Sequence, residues 1–431
     1  MLDIQFVREN PDLVQEKAKQ KGYNVNIAEL LKIDEERRHL LVELEEARAR
    51  RNEHSNSLKQ GKPTPEQIEI GKELKEAVTL REQKLVPLEE DVMRLLKAIP
   101  NMPLDSVPVG ASEDDNVVSK TVGELPTFSF TPKNHAEIAE AKGWLDKERA
   151  AKVAGSRFAY LKGDLVMLDW ALNMFALSKL TDEAFIARLV QENNLAISTK
   201  PFVPVQPPAV AKTDVYEATG RLNKEEQTYK LADDDLWLNA SAEHVLAPMY
   251  LNEIIPEVSL PIRYVGYTTA FRREAGTYGK DMEGILRLHQ FNKLEMESFS
   301  TPETSLEEHA LMVAVQEYLM VQLGLPYRVV TKCTADIGGP NASGIDIDVW
   351  LPGQDKYRET HTADLMTDYQ ARRMQTRIRR QDGTLALAHT NDATALSQRP
   401  LVAIIENYQT AEGDVLIPEV LKPFMGGRTK I

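Results

Sequence analysis

Cysteine is almost absent from this 431-residue chain, and a lone Cys333 excludes an internal disulfide and any zinc site built from several cysteines. A buried, inert thiol is the expected state. Long apolar runs are missing as well. No window reaches the roughly 18 consecutive apolar residues that a membrane-spanning helix needs. The first ten residues show no positive region followed by an apolar stretch, the mark of a secretory leader. Nothing directs the protein out of the cytoplasm, so a cytoplasmic location with no membrane association is expected. The strings GxGxxG, GxxxxGKS/T and HExxH do not occur, which removes the usual dinucleotide, P-loop and zinc-protease fingerprints. An excess of positive charge is also lacking. With a net charge of -14 the chain as a whole has no basic footprint for nucleic acid.

What is present is a soluble, globular composition, 42% hydrophobic and 27% charged, on a chain long enough for two or three units that each bury a core. Residues 3–21 read as a short amphipathic helix, ended by Gly22, Tyr23 and Asn24. Residues 28–60 form a charged, leucine-punctuated run with no Gly or Pro, which predicts a long helix. Gly61, Lys62, Pro63, Thr64 and Pro65 make a turn. A second run over residues 66–99 places Gly71, Leu74, Val78, Leu85, Leu88, Val92, Leu95 and Ile99 at spacings of three and four, with Arg81 interrupting the seam and Pro87 expected to kink it. Together the two runs predict an antiparallel coiled-coil hairpin with arms about 50 Å long. A hairpin of that kind is either a dimerisation or spacer element or a rail along which a partner lies. Residues 28–99 hold 14 Lys and Arg against 16 Asp and Glu, so the segment is near neutral while the rest of the chain carries the acid. Within it Arg48, Arg50 and Arg51 cluster where phosphates can bind.

Residues 101–125, rich in Pro, Gly, Asp and Ser without periodicity, read as a linker between an arm over residues 1–100 and a second domain over 126–431. In that domain a helical run (165–194) alternates with short strand-like runs at 262–267, 327–330 and 345–350. Crossover helices between the strands are not required, so an α+β domain with a mainly antiparallel sheet is expected.

Two constellations carry chemistry. Phe271-Arg272-Arg273-Glu274-Ala275-Gly276 leads through Gly279, Lys280, Asp281, Gly284 and Arg287 to His289-Gln290-Phe291 and Lys293-Leu294-Glu295. A glycine-rich, charged loop between two strands suits a hairpin over a polyphosphate, with arginine at both ends to clamp oxygens in planar forks. An ordinary salt-bridged surface hairpin has the same composition. The second is the run from Tyr357 to Asp364, where Glu359 and Thr362 can offer hard oxygen ligands to a magnesium ion held mostly by ATP phosphates. A strand that ends in a cap and turn has the same pattern.

The stretch Phe271-Arg272-x-Glu274-Ala275-Gly276 with Arg287-x-His289-Gln290-Phe291-x-Lys293-x-Glu295 resembles the second signature motif of seryl-tRNA synthetases, class II enzymes of bacterial type. The run Arg399-Pro400-Leu401-Val402-Ala403-Ile404-Ile405-Glu406-Asn407-Tyr408-Gln409 resembles their third. The segment around Pro207-Pro208 is similar to the dimer-forming first motif, and Asp368-Tyr369-Gln370-Ala371-Arg372-Arg373 adds to the likeness, which spans the whole chain. The resemblance implies ATP-dependent ligation of serine to tRNA(Ser) through a seryl-adenylate, in a homodimer, with magnesium as cofactor; the alternatives are a synthetase-like protein with an altered amino acid or acceptor and a catalytically inactive RNA-binding paralogue. It makes Arg272, Arg287 and Arg399 the catalytic groups, the first two on the phosphates and Arg399 over the other side of the adenine or the γ-phosphate region. Glu274 would take the adenine amino group, Phe291 would stack under the base, and Glu359 and Thr362 would hold the metal. The amino acid would lie among Ser241, Glu243, Arg272, Glu295, Asn391 and Ala393, and tRNA would follow Arg48, Arg50 and Arg51 on the arm.

The departures from the family pattern gather at the amino-acid end. Ser241-Ala242-Glu243 stands for Thr-Ala-Glu, a mild change. The family's run Ser-Cys-Ser-Asn-Cys is here Thr362-Ala363-Asp364-Leu365-Met366, and its Asn-Gly-Ser/Thr-Gly is Asn391-Asp392-Ala393-Thr394. Ala393 therefore lacks the hydroxyl expected against the serine side chain, and Glu283 stands where an arginine is usual.

Overall fold

A computed structural model of the chain describes residues 1–60, 63–222, 228–274 and 284–431. It divides into two compact units, Met1–Met102 and Pro103–Ile431. Gly61 and Lys62 of the expected turn, and the loop 275–283 with Glu283, lie outside the described residues.

The first unit is helical. The expected single helix over 3–21 is two, α1 (Ile4–Glu9) and α2 (Pro11–Gln20). Pro11 has no N–H to continue the first helix but suits the opening of the second, which explains the division. Then come α3 (Ile27–Ser57), capped by Asn26 on the Glu29 N–H, and α4 (Pro65–Ala98), opened by a reciprocal Thr64–Gln67 capping box. These two pair antiparallel, with Leu44 and Ala47 packed against Val78 and Leu85 as the seam requires. The helix runs on through Pro87. Arg81, which interrupts the apolar seam, bonds the Ala77 carbonyl and pairs with Glu43 of α3 at 3.4 Å, so its charge is answered across the hairpin. At the base, the buried Asp34 accepts from Arg8 at 2.6 Å and Arg37 at 2.9 Å, tying α1 to α3.

The second unit is built on an eight-stranded sheet: β1 (Val117–Val122), β2 (Val203–Val205), β3 (Ile262–Phe271), β4 (Gln290–Ser300), β5 (Tyr327–Thr331), β6 (Ser343–Leu351), β7 (Lys356–Thr367) and β8 (His389–Ser397). Their order is β1-β5-β6-β7-β8-β4-β3-β2, antiparallel throughout except for the edge pair β2–β3. The α+β class is as expected. The stretch expected as a linker, 101–125, instead supplies the edge strand β1. The helical run 165–194 is divided into α5 (Asp164–Leu180) and α6 (Glu183–Glu192), because Asp182 caps a new start by accepting from the Ala184 N–H. With α7 (Ser305–Gln322) and α8 (Gln398–Asn407) these helices bury one face of the sheet.

Side chains alternate between the faces of each strand. Leu294 and Met296 of β4 and Ala393 and Ala395 of β8 join the helical core, which leaves the charged residues between them on the opposite face. One acid is caught on the core side. Burial pushes the Asp169 carboxyl of α5 up to about 6, and hydrogen bonds from Asn292 and Asn173 pull it only part of the way back. Its ordinary value in an unfolded chain is about 3.9. The folded state thus holds this proton more tightly, a contribution to stability present below pH ~4 and lost as the pH rises through about 6. Asp169→Asn is expected to change little at pH 4 and to raise the unfolding free energy by about 3 kcal/mol relative to wild type at pH 7. Urea unfolding at the two pH values reads this difference, and a pH-independent one would remove burial as its cause.

Candidate active site

The polar face of β4 carries Phe291, Lys293, Glu295 and Glu297 in two-residue alternation. Across β3 the register sets Gly266 beside Glu295 and Thr268 beside Lys293. Gly266 is needed there: a Cβ would come within 2.8 Å of Leu246, whose short helix Glu243–Leu246 lies over the strand and carries Glu243. On the other side Thr394 of β8 neighbours Glu295, Asp392 neighbours Glu297, and Asp364 of β7 continues the row beyond Asp392.

At one end of this face the expected amino-acid residues Ser241, Glu243 and Glu295 come together. Lys293 pairs with Glu295 at 2.6 Å and donates to the Ser241 hydroxyl at 3.3 Å. Glu243 accepts from Gln370 and from Arg221, each at 2.8 Å. Glu295 is 1% exposed; burial pushes its carboxyl up, Lys293 opposes this, and the charge of Glu243 adds to the rise. His244 is kept neutral by burial and by Arg221, and its Nδ1 accepts from the Ala240 N–H and lies against the Tyr216 hydroxyl.

Two expected pocket residues do not belong to it. Ala393 is in the helical core on the far face, and Asn391 donates to the Ser305 carbonyl at the start of α7. The reason is register. β8 pairs with β4 so that Asp392 and Thr394 face the pocket, and bulges near Thr367 and Ala395 separate this stretch from regular alternation on either side. A hydroxyl at position 393 would point into the core, whereas that of Thr394 lies on the polar face beside Glu295.

At the other end Glu359 and Arg399 pair at 3.1 Å, with Arg399 also donating to the Glu359 carbonyl at 2.7 Å. Arg399 is placed by the Ser397 cap that opens α8. Thr362 is 3.4 Å from the Glu359 carboxylate. The side chain of Glu359 keeps 48% of its surface; enclosure by neighbouring groups pushes its carboxyl up, but Arg399 and then Lys332 outweigh this and hold it at about 2. Arg272 donates to the Ala240 carbonyl and lies 5.2 Å from the Phe291 ring, with its charge felt by both Glu295 and Glu359. Arg287 and Glu274, expected to serve phosphate and adenine, pair with each other at 2.6 Å. Glu274 adopts φ 49°, and its carbonyl accepts from Arg157. On the arm, Arg48 is drawn into a clasp with Glu45 and Glu82, both at 2.8 Å, Arg51 bonds Asn52 at 3.3 Å, and Arg50 is exposed.

Residues 1–103 match the seryl-tRNA synthetase N-terminal domain, and residues 227–408 match the class II tRNA synthetase core domain shared by the G, H, P, S and T enzymes. A serine–tRNA ligase of Thermodesulfovibrio yellowstonii is 42% identical over 99% of both chains, and one of Syntrophobacter fumaroxidans 41% over the full length of both. The chain belongs to the seryl-tRNA synthetase family. Its reaction class follows from that membership: ATP-dependent ligation of serine to tRNA. Among solved structures, seryl-tRNA synthetase from Pyrococcus horikoshii complexed with ATP superposes with a TM-score of 0.88 at 37% identity, covering 100% of this chain and 99% of that one. The cytoplasmic enzyme of Naegleria fowleri with AMP gives 0.85 at 28%, covering 100% and 98%.

Sequence reading missed Arg221, Asp392, Glu297 and the pairing role of Lys293. The acids and the lysine on β4 were visible in principle, as charges at every second position of a strand. Arg221 had no local signal, since Asp364, one of its partners, is 143 residues away in sequence.

Proposed function

We propose that the second unit forms seryl-adenylate and transfers the seryl group to the 3′-terminal ribose of tRNA(Ser), while residues 1–102 grip the tRNA. The observation that carries this is Arg272, whose charge is felt both at the Glu295–Lys293 pair and at the Glu359–Arg399 pair. An α-phosphate must lie beside such a group if serine occupies one end and the outer phosphates the other. Catalysis is then orientation and charge stabilisation, with no protein nucleophile. Glu243 and Glu295 hold the serine ammonium, Phe291 supports the adenine, and Arg287 exchanges Glu274 for phosphate, freeing that carboxylate for the adenine amino group. Glu359, ionised, and Thr362 would hold a magnesium ion, which when bound would supply positive charge against the phosphates. Pyrophosphate exchange with each of the twenty amino acids, followed by tRNA charging, tests the reading. Serine is expected to support both, and exchange with another amino acid but not serine would overturn it.

A homodimer is part of the same proposal. Met167, Trp170 and Met174 form an exposed apolar stripe on α5, and Val203 is exposed on the edge strand β2, four residues before Pro207-Pro208. Trp170→Glu is expected to shift the sedimentation of the protein from dimer toward monomer, and a wild type that is monomeric at every concentration contradicts the proposal. A cytoplasmic location belongs to the same proposal, as a compartment in which tRNA is charged; among the described residues no helix is long and apolar enough to cross a membrane.

A further inference from the structure

Asp364, Asp392 and Glu297 stand side by side on β7, β8 and β4, and the reaction described above does not use them. Like charges directly opposite one another across strands are destabilising and burial raises the cost, so burial and the neighbouring acids push the Glu297 and Asp392 carboxyls well above the usual carboxylate range, and a cation set against them would be needed to keep them ionised. These three are 6%, 6% and 1% exposed. Neither carboxyl oxygen of Glu297 receives a hydrogen bond from a described residue, nor does Oδ1 of Asp364 or of Asp392. Arg221 reaches Asp364 at 3.4 Å and Asp392 at 3.6 Å, but it is shared with Glu243 at 2.8 Å, and Lys293 is committed to Glu295. Among the described residues, these three and Glu243 and Glu295 share the ion pairs of only Arg221 and Lys293, while Lys332, whose charge also acts on Asp364, is paired with Asp336 and Asp346. Serine brings one ammonium, and its hydroxyl has a single proton to donate to four unfilled acceptors. Among the described residues no group of three His, Cys, Asp or Glu side chains is spaced to hold a metal ion, so an organic cation fits the row better. The two aspartates are also departures from the family pattern.

We propose that the row Asp364–Asp392–Glu297 is a subsite for a second ammonium group, and that the enzyme activates, besides serine, small diamino acids of the 2,3-diaminopropionate class. Such a molecule has the shape of serine with an amine in place of the hydroxyl, and it offers three donors where serine offers one. The inference rests on the activation chemistry proposed above. The substrate carboxylate oxygen bonds to the α-phosphorus of ATP, the bond from that phosphorus to the bridging oxygen breaks, and pyrophosphate leaves with the electron pair.

The test is pyrophosphate exchange by the full-length enzyme with L-serine, L-2,3-diaminopropionate and L-2-aminobutyrate, the last carrying a methyl group where the second ammonium would be. Diaminopropionate is expected to exceed aminobutyrate in kcat/KM by about tenfold or more. Asp392→Asn is expected to lower the diaminopropionate-to-serine ratio by about tenfold. If that variant shows no cooperative thermal unfolding, Glu297→Gln carries the same ratio measurement. Serine exchange with diaminopropionate no better than aminobutyrate overturns the subsite while leaving the activity standing, as does an unchanged ratio in a folded variant. Exchange with neither serine nor diaminopropionate removes the activity reading and the subsite with it.

Discussion

Removing residues 40–88 and closing the gap with a short turn is expected to leave serine-dependent pyrophosphate exchange within about twofold of wild type while lowering tRNA charging by about a thousandfold, some 4 kcal/mol. The two cut points lie opposite each other on the antiparallel α3–α4 pair, so the short turn can span them. The removed piece takes its own core with it, Leu44, Ala47, Val78 and Leu85, while Asp34 with Arg8 and Arg37 stays to hold the helical base. Arg272, Glu274, Arg287, Lys293, Glu295, Glu359 and Arg399 all belong to the second unit, which is why activation should persist. A loss of tRNA affinity that shrinks at high salt would identify phosphate contacts as the lost interaction. Parallel loss of exchange and charging would instead make the arm a structural support of the second unit.

Arg399→Ala is expected to lower exchange by about a thousandfold, near 4 kcal/mol, the cost of removing one preorganised donor from a developing charge. Two effects combine. The guanidinium is lost from a position fixed by the Ser397 cap, and Glu359 loses the partner that does most to hold its carboxyl low. Arg399→Lys restores a charge but not the planar guanidinium, whose Nη1 meets both the Glu359 carboxylate and its carbonyl and whose fork suits phosphate oxygens, so it should recover only part of the rate. Single-turnover adenylate formation measures both variants. An effect confined to the KM for serine, with kcat intact, would place Arg399 outside the phosphate end.

The arm and the signature stretches were legible because their information is local. A heptad seam needs only its own spacing, and a capping box such as Thr64–Gln67 closes within three residues. The charged positions of β4 likewise follow a period of two that any reader of the strand can count. Arg272, Glu274, Arg287, Phe291, Glu359 and Arg399 could be singled out because they stand in stretches that carry the family resemblance or a charged loop, and the structure brings Arg272 to Phe291, Arg287 to Glu274 and Arg399 to Glu359.

Which face a side chain takes was another matter. Asn391 and Ala393 were expected in the pocket, and a strand register with bulges on both sides of them turned them toward α7 and the core, bringing Asp392 and Thr394 forward instead. A slip of one residue reverses every side chain on a strand, and no short stretch of sequence records where a bulge falls. Arg221 shows the same limit at longer range, because its carboxylate partners are brought to it only by the pairing of β7 with β8. The amino-acid sequence by itself determined the helical hairpin and the α+β class, since each is written in spacing within a segment, and its signature stretches carried the family resemblance. Tertiary structure alone decided the composition of the amino-acid pocket, since that depends on the register between strands far apart in the chain.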